Sequence, residues 1–366
     1  MDVSPERIRR IVALAARAPS GENCQPFRFH WDGAWLTVSH DAARSRHVLN
    51  FENRASYLTL GCYLESIVIA AASEGLDARI ELELADTAAR VAFVARAQGP
   101  CGDASLLLDR CTDRRRYRGG PIDAPLLREI EDDLRAFPNV TIRLVAPNDE
   151  LVDYVAHMER LQWCTEPIHR GHTRYFRLSN RAASRTRDGM SRASLNVGPA
   201  TAALLALARR DFRVQRTLNQ FGFLRIFAKR VRAWVRSAAA LGCVTVDTTD
   251  PAGHVSAGRA TLRTWVTLNR DGYAVQPLSI CSYMVFNRDV GRYPGELPAA
   301  FREGGAWGAD VLQRNYDLPP SEHVAWFFRT GRAPLRPMAG RTLRLPLERV
   351  LTEVAPLDEP EVAHAV

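Results

Sequence analysis

The stretch Ala18-Pro19-Ser20-Gly21-Glu22-Asn23-Cys24-Gln25-Pro26-Phe27-Arg28-Phe29 joins a helix to a hairpin through a loop with unusual chemistry. Pro19 stops the helix, because a proline in a helix interior lacks the N–H and clashes with the preceding turn. That helix is written by Ser4-Pro5-Glu6, a cap and first turn, and by Ile8, Ile11, Val12 and Ala15 at helical spacing. After Pro26, the residues Phe27, Phe29 and Trp31 alternate, Asp32-Gly33 turns the chain, and Leu36 and Val38 alternate back. This is the pattern of a β-hairpin. Between the two elements lie small and amide side chains fixed by two prolines. Ser20 and Asn23 can hydrogen-bond an oxygen-rich ligand there, or the loop is a capped turn that holds nothing.

Working outward, a long helix is expected over Arg54–Ser73, with Tyr57, Leu60, Gly61, Leu64, Ile67, Val68 and Ala71 apolar and Gly75 as its stop. Strands are expected at Ala78–Leu84 and Val91–Ala95. A helix capped by Asp123 follows, and then a strand at Val140–Val145. From about Leu151 to Arg236 the chain is helical, arginine-rich and strand-poor, and Arg170–Arg192 is polar enough to cross the surface. Leu241–Asp247 reads as a strand, Gly258–Arg270 as a helix closed by Asp271-Gly272, and Val324–Arg329 as a strand before a Pro/Arg-rich tail. Two helices have one shape: Asn53-Arg54-Ala55 opens one ending in Glu74-Gly75, and Gly258-Arg259-Ala260 opens one ending in Asp271-Gly272. That is a first sign of duplication.

Composition narrows the classes. With 366 residues, 46% hydrophobic and 25% charged, the chain is long enough for two cores. Its most apolar run, Ser66 to Ala72, is far shorter than a bilayer requires, so no membrane role is expected. The first residues have no basic and apolar leader pattern, which points to the cytoplasm. Seven scattered cysteines without a C-x-x-C pair argue against disulfides and zinc. The net charge of +8 is almost all arginine, Lys229 being the only lysine. No nucleic-acid recognition pattern accompanies it, so no nucleic acid is expected, and arginine suits bidentate phosphate binding. His169-Arg170-Gly171-His172 lacks a glutamate and reads as polar loop, so no metal is expected. Gly304-Gly305-Ala306-Trp307-Gly308 follows no strand and is no dinucleotide fingerprint. Asp247, Asp250 and His254 read as a loop.

Four segments resemble the nitroreductase superfamily. The opening stretch is similar to that family's A-P-S-x-x-N-x-Q-P-W-x-F signature, with Phe27 in the tryptophan position. The resemblance implies that Ser20 and Asn23 contact FMN and that Gln25 joins them, shaping the loop with Pro26. Asp109-Arg110-Cys111-Thr112-Asp113-Arg114 through Pro121-Ile122 resembles the R-R-S-x-R-x-F…P-V opening of a family domain, with Cys111 replacing one arginine. That implies that Arg110, Thr112 and Arg114 hold the flavin phosphate and ring edge. Ala274-Val275-Gln276-Pro277-Leu278-Ser279 resembles the loop that meets the ring near N5, which adds Pro277 and Leu278. Arg341-Thr342-Leu343-Arg344-Leu345-Pro346 resembles the basic tail, where Arg344 and Arg341 would hold the phosphate.

The resemblance implies an α+β, nitroreductase-like fold of two fused halves. They would form an intramolecular pseudo-dimer with mainly antiparallel sheets flanked by helices. The expected halves are residues 1–104 and 105–366, the second with a helical insert at about 151–236. The first half lacks the arginine opening and the second lacks the P-S-x-x-N loop, so one flavin site is expected per chain and its pseudo-symmetric counterpart is missing. This is similar to the Acg-like branch of the superfamily. The implied function is FMN-dependent oxidoreduction, with hydride passing between flavin N5 and a small organic substrate, and with NAD(P)H or oxygen as redox partner. The alternative is FMN binding or sequestration without turnover. A monomer or weak homodimer is expected. No catalytic acid or base is nameable from sequence.

Overall fold

The computed structural model describes residues 3–353. The last thirteen residues of the expected second half lie outside the described residues. The chain runs through α1 (Pro5–Ala15), β1 (Phe27–Trp31), β2 (Trp35–His40), α2 (Ala42–Ser45), α3 (Arg54–Ser73), β3 (Leu76–Glu83), β4 (Ala88–Ala95), α4 (Leu106–Asp109), α5 (Ala124–Leu134) and β5 (Val140–Val145). A mainly helical stretch follows: α6 (Asp149–Cys164), α7 (Glu166–Arg174), β6 (Phe176–Arg177), α8 (Asn180–Thr186), β7 (Met190–Ser191), α9 (Pro199–Arg210), α10 (Phe212–Gln220) and α11 (Phe223–Arg236). Then come β8 (Ala240–Val246), α12 (Pro251–Arg270), β9 (Tyr273–Pro277), α13 (Ser279–Asp289), α14 (Ala299–Tyr316), β10 (His323–Arg332) and β11 (Leu351–Glu353).

Local chemistry explains the first half. Ile8, Ile11, Val12 and Ala15 are the buried stripe of α1, and one stripe of this width is what a helix on a core needs. The β1–β2 turn is held by the Asp32 carboxylate, which accepts from the N–H groups of Ala34 and Trp35 at 2.9 and 2.7 Å. Gly33 supplies the left-handed backbone there, at φ +99°. Phe27, Phe29 and Trp31 then point into one core with Leu36 and Val38.

Two sheets carry the duplication. One has the order β11-β1-β2-β4-β3 and the other β5-β8-β10-β9. Apart from β11, each position in one has a counterpart in the other. In both, the first two strands pair antiparallel, a 20-residue helix follows, and the last two strands add in reversed order, antiparallel. The helices α3 and α12 cross at the centre. Gly61 faces Gly258: a Cβ at 61 would fall inside the Val255 carbonyl oxygen, and one at 258 inside that of Leu58. Only a residue without a side chain allows so close a crossing. Gly61 stands fourteen residues before Gly75, and Gly258 fourteen before Gly272. The acidic-glycine stops therefore give the true correspondence, and the Arg-Ala openings do not.

Four expectations need correction. The helix expected from Gly258 begins at Pro251, because the Asp250 carboxylate caps it by accepting from the Gly253 N–H at 2.8 Å. Asp250 and His254 thus belong to a helix start and not to a loop. Residues 170–192 do not simply cross the surface: His169-Arg170-Gly171-His172 lies on α7, and Thr173, Tyr175, Phe176, Ala183 and Met190 are buried. The division at residue 104 does not hold for the tail, since β11 pairs parallel with β1 in the first sheet. Finally, residues 51–73 are long and apolar enough to cross a membrane, although 72% of the most apolar window is buried within the fold. That apolar surface is spent on α12 and on the first core, where Leu60, Leu64 and Ile67 are fully covered.

Candidate functional site

One cavity of about 410 Å³ opens among the loop after α1, helices α3 and α12, the end of β9, the tail and the helical stretch, within the range of small-ligand sites. Ser20, Asn23, Arg110, Thr112, Arg114, Pro277, Arg341 and Arg344 all line it. These eight come from four separated segments, brought together by the α3–α12 crossing and by the returning tail. Two expected residues do not line it. Gln25 is 2% exposed and ties backbones, donating to the Arg187 carbonyl at 3.0 Å and accepting from the Leu345 N–H at 2.8 Å. Leu278 is buried in the second core, and its N–H goes to the Phe327 carbonyl. Gln25 and Leu278 therefore support the wall from behind.

The loop after Pro19 is held in a costly shape. Glu22, Asn23 and Gln25 all have positive φ, at 46°, 57° and 51°. Each such residue costs on the order of 1–3 kcal/mol and persists only where its surroundings fix it. The fixing contacts are visible. Asn23 Nδ2 donates to the carbonyls of Gly189 and Leu343 at 2.9 and 3.0 Å, and Ser20 Oγ accepts from the Gln25 N–H at 3.0 Å. Asn23 Oδ1 is buried with no partner. The amide that the resemblance makes a ligand contact is thus half engaged in locking the loop to the tail.

Arginine dominates one part of the wall. Arg110 is buried, lies over the Trp265 ring at 4.7 Å and donates to the Arg17 carbonyl at 3.0 Å. Arg344 donates to the carbonyls of Arg17 and Ala18 and to Thr342 Oγ1, while its Nε is buried with no partner. Among the described residues, neither guanidinium is paired with a carboxylate, and neither is that of Arg17. Burial first, and then the charge of Arg110, push Arg344 down to about 9. Burial likewise lowers Arg110 to about 10. Arg341 adds a fourth cation at the exposed edge, donating to the Leu108 carbonyl and lying 3.7 Å from the Asp109 carboxylate. The other three, gathered out of water without an anion, are costly, and a phosphate dianion offers the missing charge and acceptor oxygens. Arg329 is the contrast: fully buried, it places its donors on Gln276, Trp234 and Arg115 and stacks on Tyr117. That arginine is structural.

No protein family and no curated protein matches the chain. Solved structures to which the chain is similar include nitroreductases. They include a nitroreductase-like family protein from Bacillus cereus, at 10% identity and a TM-score of 0.33, covering 68% of this chain and 94% of that one. An FMN-dependent nitroreductase from Mycobacterium smegmatis in complex with NADPH matches at 15% identity and 0.37, covering 69% and 97%. An FMN and NADPH-dependent nitroreductase from Sphigopyxis sp. strain HMH gives 15% and 0.37, covering 69% and 98%.

The cavity also contains groups that no segment resemblance pointed to. Arg17 closes the cationic part from the end of α1. Glu22, His47, Glu159 and His172 form a second polar group, with Arg114 near it. Glu22 sits inside the Ser20–Asn23 loop and was legible as a neighbour of both. His172 belongs to a histidine pair that reads as loop in sequence, because α7 has only Ile168, His169 and Thr173 as buried residues. Aromatic and aliphatic side chains of the helical stretch complete this side, among them Trp163, Leu205, Phe227 and Trp234.

Proposed function

We propose that this cavity holds one FMN and that the protein is an FMN-dependent oxidoreductase, passing a hydride between flavin N5 and a small organic substrate. The observation that carries the reading is the pair Arg110 and Arg344, held together without a carboxylate while Arg344 Nε faces no acceptor. Arg110, Arg344, Arg17 and Arg341 would hold the phosphate. Ser20, Asn23, Thr112 and Pro277 would line the ring, and Arg114 its edge. The flavin, when bound, supplies the two-electron chemistry, and the protein supplies binding, orientation and charge. NAD(P)H or oxygen would be the redox partner.

A second reading has its own observation. Helices α6, α7, α9 and α11 put Trp163, His172, Leu205, Phe227 and Trp234 into the wall, so this stretch of helices covers one side of the cavity. Sequestration of FMN without turnover follows if that cover does not open. Purification with a visible spectrum, cofactor mass and flavin-to-protein ratio tests the first claim, and a ratio near one is expected. Steady-state oxidation of NADPH with a quinone acceptor separates the readings. Flavin that photoreduces but never accepts electrons from NADH or NADPH would favour sequestration.

A further inference from the structure

The group formed by Glu22, His172, Gln162, His47 and Glu159 is larger than a loop needs and lies at the aromatic side of the cavity, apart from the unpaired arginines of the phosphate site. We propose that His172 is the proton donor and acceptor of this site, acting on a flat, apolar small molecule that carries one ionisable hydroxyl or carbonyl oxygen. The inference deepens the oxidoreductase reading and rests on it for the partner reaction.

Geometry gives His172 its role. Its Nδ1 lies 2.7 Å from a Glu22 carboxylate oxygen, and its Nε2 faces the amide oxygen of Gln162. Both ring nitrogens thus face acceptors, the arrangement of an imidazolium with two N–H donors. The charged and titratable groups facing it are Glu22 from the loop, Glu159 from α6, Arg114 from the segment after α4, and His47 from the loop after α2. Glu22 and Glu159 hold the imidazole above its ordinary range, against the opposing pull of burial and Arg114. Glu22 itself is held down at about 2, chiefly by His172 against the cost of burial, while burial raises Glu159. Neighbouring groups driven apart in this way are how one site keeps an acid and a base at one pH.

Glu22, His47 and His172 also bring their ligand atoms within 4.8 Å of one another, which raises a metal as a rival. The hydrogen bonds decide against it. His47 Nδ1 accepts the Leu49 N–H at 3.0 Å, so the neutral ring keeps its proton on Nε2, the atom a metal would need. That Nε2 is buried with no partner, a second donor available to a ligand oxygen. Gly171 makes the arrangement possible, because a Cβ there would fall inside the His47 ring. The Gln162 oxygen is the neutral partner of His172, and a substrate oxygen displaces it more cheaply than it displaces the Glu22 carboxylate. Trp163, Phe223 and Phe227, packed edge-on and stacked at centroid distances of 5.5–5.8 Å, supply the apolar surface beside it.

In the reducing direction a bound, reduced FMN would supply the hydride for the new C–H bond and with it the two electrons that reduce the carbonyl. His172 Nε2 gives its proton to the substrate oxygen: an O–H bond forms, the imidazolium N–H breaks with its electron pair left on nitrogen, and the neutral ring is reprotonated from solvent.

The test uses the purified protein and 4-nitrophenol, whose absorbance reports its own ionisation. Bound beside an imidazolium, the dye should ionise about one pH unit lower than free dye, a tenfold shift in its acid constant. His172→Gln should abolish that shift, whereas His157→Gln, on α6 against Trp307 and outside the cavity wall, should not. Glu22→Gln, which keeps the loop's shape, should reduce it and lower the His172 titration followed by imidazole NMR. Dye that fails to bind, an unshifted dye in the parent protein, or an equal shift in His172→Gln would each overturn the proposal. So would stoichiometric zinc or iron that is lost in His47→Gln. Loss of FMN from the preparation with the dye shift intact would instead sink the cofactor reading and leave His172 standing.

Discussion

Arg344 and Arg349 are both tail arginines, yet they face opposite fates. Arg349 is exposed, whereas Arg344 is half-buried against Arg110, with its Nε unpartnered. Replacing Arg344 by leucine should remove an unfavourable charge from the cofactor-free protein, so thermal unfolding without FMN should hold steady or rise. The same variant should lose FMN affinity by roughly 2–5 kcal/mol, the range for removing one partner of a desolvated charge pair. Arg349→Leu should change neither quantity. Melts with and without FMN, together with flavin-fluorescence titration, measure both, and equal behaviour of the two variants would show that Arg344 does not face the ligand.

At the scale of elements, the crossing of α3 and α12 fixes where the cavity can be. Gly61→Ala or Gly258→Ala places a methyl against the opposing carbonyl and should cost about 2 kcal/mol or more, since helix backbones cannot part locally. Gly119→Ala, with open space around it, should cost almost nothing in the same denaturation series. The same helix pair buries Glu65 completely, held by Arg259 Nε at 3.0 Å and Arg263 Nε at 2.8 Å. Removing one partner of such a buried arrangement is far more damaging than the net value of the pair suggests. Glu65→Gln should therefore destabilise by about 3 kcal/mol and should loosen FMN binding with it, because α12 carries Thr261 and Trp265 into the cavity wall. Destabilisation with unchanged FMN affinity would mean that the crossing and the site are independent.

For the whole molecule, pH is a direct probe of burial. His47, His169 and His254 are each pushed down to about 4 by burial. Between about 4 and the ordinary imidazole value of 6.5, the unfolded chain holds protons that the native one refuses. Stability is then fully present above that window and is lost as pH falls through it, by roughly 1.4 kcal/mol per pH unit for each group. His172 works the other way: raised by Glu22, it stabilises below the ordinary value and loses that stabilisation as pH rises. Urea denaturation from pH 7 to pH 4.5 should show the acid-side loss, shallower in His254→Phe, and a flat profile would mean that these rings are not excluded from protons. The cavity draws on the 20–24 loop, the arginines and the tail of a single chain. Dilution to the monomer should therefore leave FMN bound at one per chain, as read by ultracentrifugation with flavin absorbance. Release of flavin on dilution would place part of the site on a second molecule.

The sequence by itself determined several of the regular elements and named eight of the residues that line the cavity. Alternation at Phe27, Phe29 and Trp31, the stop at Glu74-Gly75 and the strand at Val140–Val145 are local facts, set by side-chain period and backbone freedom, and they stand where they were expected. Ser20, Asn23, Arg110, Thr112, Arg114, Pro277, Arg341 and Arg344 were legible because each sits in a short segment whose residue types carry chemistry. The tertiary structure alone decided what is non-local. It set the Gly61–Gly258 crossing, the return of β11 to the first sheet, the removal of Gln25 and Leu278 to supporting positions, and the entry of Arg17, Glu22 and His172 into the cavity. Periodicity says which face of a helix is apolar, but not what that face will meet. His172 became a candidate proton donor only when the fold set Glu22 and Gln162 against its two nitrogens, and no spacing along the chain encodes that meeting.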